Sequence, residues 1–215
     1  MLREFEGLRN DIRYTRIEDK NYSECVKICN RYIQSLKKLS INCNEDNRFA
    51  YHNLALNNMK LGNIDIAIKQ ELIAINYIDH NKCDYDYRYG SSIWLIAECN
   101  YLSGNNKEAL TIYTRCSKIY KNIGDDQLRS CVIFNKAKIY KNKKAMKQLI
   151  KIYKEKNLNS VVTTYGDMEY DDILREMYTD LMNLIISSDR KEAFNLLVTV
   201  KDKKFKKELS KKLVA

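Results

Sequence analysis

Small residues recur at a fixed interval along this chain. Cys25, Ala67 and Ala109 stand 42 residues apart, and Ala193 follows at twice that interval. Three of them share one local design. Asn21-Tyr22-Ser23-Glu24 precedes Cys25, Asn105-Asn106-Lys107-Glu108 precedes Ala109, and Asp189-Arg190-Lys191-Glu192 precedes Ala193. An Asn or Asp with Glu three residues later is the pattern of a capping box, in which side chains satisfy the first amides of a helix. Ala67 instead follows Gly62-Asn63-Ile64-Asp65-Ile66. A small residue just inside a helix lets the preceding helix pack close, and the glycine or polar pair before it makes the turn. Each unit is therefore a helical hairpin of helix A, short turn and helix B, and units of this period stack. Ala145 is the remaining candidate, 36 residues after Ala109 and 48 before Ala193. A longer loop over 156–167 absorbs the difference.

Five hairpins are predicted: 3–18 with 22–38, 47–61 with 64–79, 88–103 with 106–122, 126–141 with 143–155, and 170–187 with 190–199. A last amphipathic helix, 202–213, carries Phe205, Leu209 and Leu213 on one face. Apolar residues at the helical period support this. Tyr22, Cys25, Val26, Cys29, Tyr32, Ile33 and Leu36 form one stripe, and Ala109, Ile112, Tyr113, Cys116 and Tyr120 another. Ile173, Met177, Leu181, Leu184 and Ile185 form a third. Composition agrees. The chain has no proline and six glycines in 215 residues, so almost nothing breaks a helix. Only Val161-Val162-Thr163-Thr164-Tyr165 is locally β-prone, and it falls in the predicted loop. The expectation is an all-α, right-handed superhelix of about five antiparallel hairpins with a C-terminal capping helix. It forms a single domain over 1–215, with a looser break near 156–168.

The segment Asn53-Leu54-Ala55-Leu56-Asn57-Asn58-Met59-Lys60-Leu61-Gly62, continuing to Ala67 and Ala74, resembles a tetratricopeptide (TPR) repeat. Leu54-Ala55, Gly62, Ala67 and Ala74 match that motif in position. Trp94-Leu95-Ile96-Ala97, Gly104, Ala109, Tyr113 and Cys116 match it a second time. The copies around Cys25, Ala145 and Ala193 are degenerate, and the proline that commonly ends the motif is absent. A 42-residue unit exceeds the usual length of about 34. Longer, degenerate repeats of this kind resemble those of cytoplasmic peptide-pheromone receptors of low-GC Gram-positive bacteria and their phages, the Rap, PlcR, NprR and arbitrium-receptor group. A composition rich in Asn, Ile, Lys and Tyr is compatible with an AT-rich genome. Most members carry an N-terminal helix-turn-helix. Here Tyr22 already opens the first helix B, which leaves no room for one. The expected form is a repeat-only member or a receptor lacking its DNA-binding head.

What this resemblance implies for function is a groove lined by A helices. In the tetratricopeptide register the groove-facing residues are Tyr14 in the first unit, and His52, Leu56, Met59 and Lys60 in the second. Trp94, Glu98 and Tyr101 follow in the third, with Ser130, Phe134 and Lys138 in the fourth. An aromatic and apolar lining with scattered polar groups suits a short peptide or protein segment. A register shifted by one residue would instead turn Trp94, Phe134 and Leu56 inward as packing residues. Chaperone-binding relatives place Lys and Asn at two of these groove positions. The pairs here are Asn10/Tyr14, His52/Leu56, Trp94/Glu98 and Ser130/Phe134, so that carboxylate clamp is missing.

Other classes find little support. There is no G-x-x-x-x-G-K-[ST], G-x-S-x-G or H-E-x-x-H, so no catalytic residues are assigned and no enzyme is expected. The two histidines, His52 and His80, lie in different elements, and neither a metal site nor a cofactor is expected. Seven cysteines make an odd number with no C-x-x-C pair. They read as small core hydrophobes in a reducing, cytoplasmic protein. No apolar run approaches the roughly 20 residues of a membrane span, and the start is no secretory signal, so the chain is expected to be soluble. The net charge of +10 is uneven: residues 1–134 hold 19 basic and 17 acidic side chains, residues 135–215 hold 19 and 11. Lys201–Lys212 contains seven lysines and no arginine. It reads first as a solvated capping helix and second as a contact for nucleic acid. A dimerising scaffold without a small ligand is the other alternative to peptide binding.

Overall fold

The computed structural model describes residues 2–39, 44–140, 147, 178–179, 181–183, 185–186, 190–200 and 203–214. The described residues are helical and contain no strand. Residues 1–125 form one compact unit and residues 126–215 a second. In the first, α1 (Leu2–Ile17), α2 (Tyr22–Lys38), α3 (Asn44–Lys60), α4 (Ile64–Ile75), α5 (Tyr87–Leu102) and α6 (Asn106–Asn122) follow one another. Each pair α1/α2, α3/α4 and α5/α6 packs as a hairpin, and α2 packs on α3 and α4 on α5. In the second lie α7 (Asp126–Tyr140), α8 (Arg190–Val198) and α9 (Lys203–Val214), with α8 packed on α9. The expected helix 143–155 and the loop and break near 156–168 lie outside the described residues, apart from Lys147.

The repeat has a direct packing counterpart. Cys25, Ala67, Ala109 and Ala193 are all completely buried. The amides of Cys25, Ala67 and Ala109 each bond at 3.0 Å to the carbonyl of the capping residue, Asn21, Asn63 and Asn105. The Cys25 Sγ donates to the Ile12 carbonyl across its hairpin (3.5 Å), and the Cys116 Sγ donates to the Gly90 carbonyl across another (3.3 Å). Only a small side chain at these points allows such close approach.

Gly62 and Gly104 end helix A of the second and third units at φ +82° and +78°. The Gly62 amide bonds to the Met59 carbonyl and the Asn63 amide to the Asn58 carbonyl. Gly104 and Asn105 repeat this with Tyr101 and Asn100. This is the Schellman closure, which needs a left-handed residue. The capping is less uniform than the sequence suggests. The Asn21 Oδ1 accepts from the Glu24 amide (3.1 Å), but Asn105 and Asn63 make no side-chain cap bond. Asn63 turns its amide to the Asn58 Oδ1 instead (3.0 Å). Asp189 lies outside the described residues.

Helix α4 stops at Ile75, short of the expected 79, and a 3-10 turn over His80–Tyr85 follows. Asp86 then caps α5, its carboxylate accepting from the Arg88 amide at 2.7 Å. The predicted stripe of α2 is buried at Cys25, Cys29, Tyr32, Ile33 and Leu36, joined by Ile28. With Ile12, Phe49, Ala50 and Leu54 most of these form one cluster. In the second unit Leu181, Met182, Ile185, Leu197, Phe205 and Leu209 are buried. The Tyr178 ring meets Phe205 edge-on. Of the expected face of α9, Phe205 and Leu209 are thus buried and Leu213 is half-buried.

Candidate functional site

The A helices of the first unit carry the expected groove residues, and the structure sorts them. On α1, Tyr14 is 63% exposed and Asn10 is exposed. On α3, Leu56 is 1% exposed, and His52 and Met59 are also buried, while Lys60 at the helix end is exposed. On α5, Trp94 is 3% exposed, Glu98 is half-buried and Tyr101 is 37% exposed. Leu56, Met59, His52 and Trp94 are therefore packing residues with almost no surface to offer a ligand. In the second unit, Ser130 is buried and its Oγ donates to the Asp126 carbonyl (2.7 Å). Phe134 and Lys138 lie on α7, with side chains outside the described residues.

The physical reason is the surroundings of α3. From Asn47 to Met59 every residue except Tyr51 is buried, so this helix has no free face. Its amides make that possible. Asn53, Asn57 and Asn58 donate from Nδ2 to the carbonyls of Phe49, Asn53 and Leu54, four residues back in each case (2.7–3.0 Å). Asn57 Oδ1 has no hydrogen-bond partner and is fully enclosed. His52 points across the hairpin. Its Nδ1 lies 2.9 and 3.1 Å from the two carboxylate oxygens of Glu71 on α4, which is itself wholly buried.

An arginine ladder from α1 covers another side of α3. Arg9 Nη2 meets the Asp46 Oδ1 at 2.5 Å, and Arg16 Nη1 donates to the Asn53 Oδ1 at 2.9 Å. Between them Arg9 and Arg13 lie over the Phe49 ring, 4.8 and 5.8 Å from its centre. The spacing of 9, 13 and 16 places all three on one face of α1. The i, i+4, i+7 spacing of these arginines is the sequence signal for this face.

Two expected residues do come together. Trp94 Nε1 donates to the Glu98 Oε1 at 2.9 Å, and the Tyr113 hydroxyl donates to the same oxygen at 2.7 Å. The Trp94 ring stands edge-on to Tyr120, with centres 6.1 Å apart. Tyr113 and Tyr120 belong to α6, and sequence reasoning placed them only in its core stripe. The result is a half-buried carboxylate whose direction is set by two donors from two helices. Near the start of α5, Asp86, Arg88, Glu45 and Arg48 form a chain of alternating charge (2.7–3.1 Å between successive partners). The Arg88 hydrogen bonds hold Asp86 below the usual carboxylate range. Burial pushes Glu45 up, but Arg48 and Arg88 outweigh it and hold it below its ordinary value.

Two crystal structures share this architecture. One is a kinesin light chain-like protein of Podosopora anserina built of nearly identical TPR-like repeats. It has a TM-score of 0.67 at 13% identity, over 97% of this chain and 96% of the other. A single-substitution variant of it gives 0.68 at 13% identity, over 97% and 95%. The chain has a TPR-like repeat fold. No protein-family model and no curated protein match it. Of the equivalent A-helix positions Tyr14, Leu56 and Glu98, Leu56 is buried, Glu98 is half-buried and Tyr14 is exposed. Among the described residues no helix is long and apolar enough to cross a membrane. No three metal-ligating side chains gather there either.

Proposed function

We propose that this TPR-like protein is a non-catalytic interaction module that takes a short peptide or protein segment on the third repeat. The observation that carries this is Glu98, a carboxylate at the ligand-facing position, steered by Trp94 and Tyr113. A half-buried carboxylate whose direction is fixed by two donors can accept from a cationic group on a ligand, such as a free N-terminus, Lys or Arg. Exposed Tyr101, one turn further on, supplies an aromatic contact. The specific form of this reading is a cytoplasmic signalling-peptide receptor of a low-GC Gram-positive bacterium or phage. It rests on the resemblance of the long repeats.

A random-peptide library displayed on phage and selected on the immobilised full chain tests the module. Enriched peptides should carry a cationic group, and Glu98→Gln should weaken them about tenfold, the scale of one charge-assisted hydrogen bond. Tyr101→Ala should weaken them too, and Lys27→Ala on the outer face of α2 should not. No enrichment, or full binding by Glu98→Gln and Tyr101→Ala, overturns the reading.

A contact with nucleic acid through 201–212 is the runner-up, supported by exposed Lys203, Lys204, Lys207, Lys211 and Lys212 on α9. It predicts salt-dependent binding that vanishes when 201–215 are removed.

A further inference from the structure

The B helices of the first unit differ in what they show to solvent. The outer face of α2 exposes Lys27, Arg31, Lys37 and Lys38, and that of α6 exposes Lys107, Arg115, Lys118 and Lys121. Helix α4 exposes Ile66 (49%), Leu72 (51%) and Ile73 (39%), with one acid, Asp65, and one base, Lys69, beside them. The inward residues of α4, Ala67, Glu71 and Ala74, are already packed. So α4 shows solvent three large aliphatic side chains and a balanced pair of charges, whereas α2 and α6 show it mainly cations.

We infer that the outer face of α4 is a self-association surface that takes the same face of a second copy of this chain. Charge argues for that occupant. Each copy carries +10, so copies meeting through α2 or α6 would bring cation to cation. The α4 strip is neutral and apolar, the combination that a contact between like-charged copies needs. It is also self-complementary. In an antiparallel pairing of two α4 helices about a two-fold axis at the position of Ala67, Asp65 of each copy opposes Lys69 of the other. Ile66 then lies beside the axis, close to its own counterpart, while Ile73 and Leu72 oppose positions 61 and 62 of the other copy, where Leu61 is also exposed. The surface is on B helix α4 and does not depend on peptide binding at Glu98.

Sedimentation velocity of the full chain over a range of concentrations tests this. The wild type should form a dimer, reversibly with concentration. Asp65→Lys and Lys69→Asp each place like charges face to face twice and should weaken dimerisation at least about tenfold. The double variant, Asp65→Lys with Lys69→Asp, restores both pairs and should recover it. Ile66→Glu should abolish it. Circular dichroism checks that each variant keeps its helix content, since all three sites are exposed. A wild type that stays monomeric overturns the inference, as does a dimer that Ile66→Glu leaves intact. Two weakened single variants without recovery in the double would overturn the antiparallel register.

Discussion

The wholly buried carboxylate of Glu71 decides where His52 points. A buried acid needs a partner, and the imidazole 2.9 Å away supplies it, so the His52 side chain crosses to α4. Removing one member strands the other. His52→Ala should cost about 2–4 kcal/mol in urea unfolding, the range for orphaning a buried polar or charged group. Replacing both, as His52→Leu with Glu71→Met, should cost clearly less than His52→Ala alone. An additive double variant would mean the pair is not coupled.

At the scale of the element, the turn between helices A and B is the part most plainly written in the sequence. Gly62 and Gly104 fill equivalent left-handed positions. The equivalent residue of the first unit is Lys20, 42 residues before Gly62, and it too is left-handed, at φ +51°. A side chain in that conformation costs about 1–2 kcal/mol. Gly62→Ala and Gly104→Ala should therefore each destabilise by about 1 kcal/mol, and Lys20→Gly should shift stability the other way. The measurement is the urea midpoint, and a loss in Lys20→Gly equal to that in Gly62→Ala would contradict the equivalence. The buried alanines make a second element-scale prediction. Ala109→Leu should cost about 1–3 kcal/mol by overpacking, whereas Thr111→Leu on the exposed side of α6 should be nearly neutral. Some helix boundaries were equally legible: 22–38 and 106–122 coincide with α2 and α6, whereas the expected 47–61 starts three residues inside α3 and 64–79 runs four residues past α4. Such ends are set locally, by turns and by the apolar period. Cap bonding was less legible: Asn105 offers the same pattern as Asn21 yet makes no side-chain cap bond.

Across the whole molecule, burial of thiols ties stability to alkaline pH. Burial pushes Cys25 up to about 11 and Cys29 and Cys99 up to about 12, against an ordinary value of 9.0. Burial and the Asp46 bond also push Tyr32 up to about 12. A folded value above the unfolded one gives stability that is complete below the unfolded value and lost as pH rises through the folded one. The urea midpoint should hold up to about pH 9 and fall between about pH 9 and pH 12. Cys25→Ala with Cys29→Ala should flatten that fall. A midpoint unchanged to about pH 11 would contradict it.

The sequence by itself determined the repeat, the hairpins, the turns at Gly62 and Gly104 and the small residues at the crossings. Each of these depends on local backbone conformation or on size at a single contact. Tertiary structure alone decided which A-helix side chains reach solvent. Trp94, Leu56 and Met59 have the same apolar character whether they line a groove or fill a core. The helical period says only that they share a face. What settles the matter is the set of neighbours. Helix α3 has α2 and α4 packed on it and three arginines of α1 laid along it, which no local pattern within α3 records.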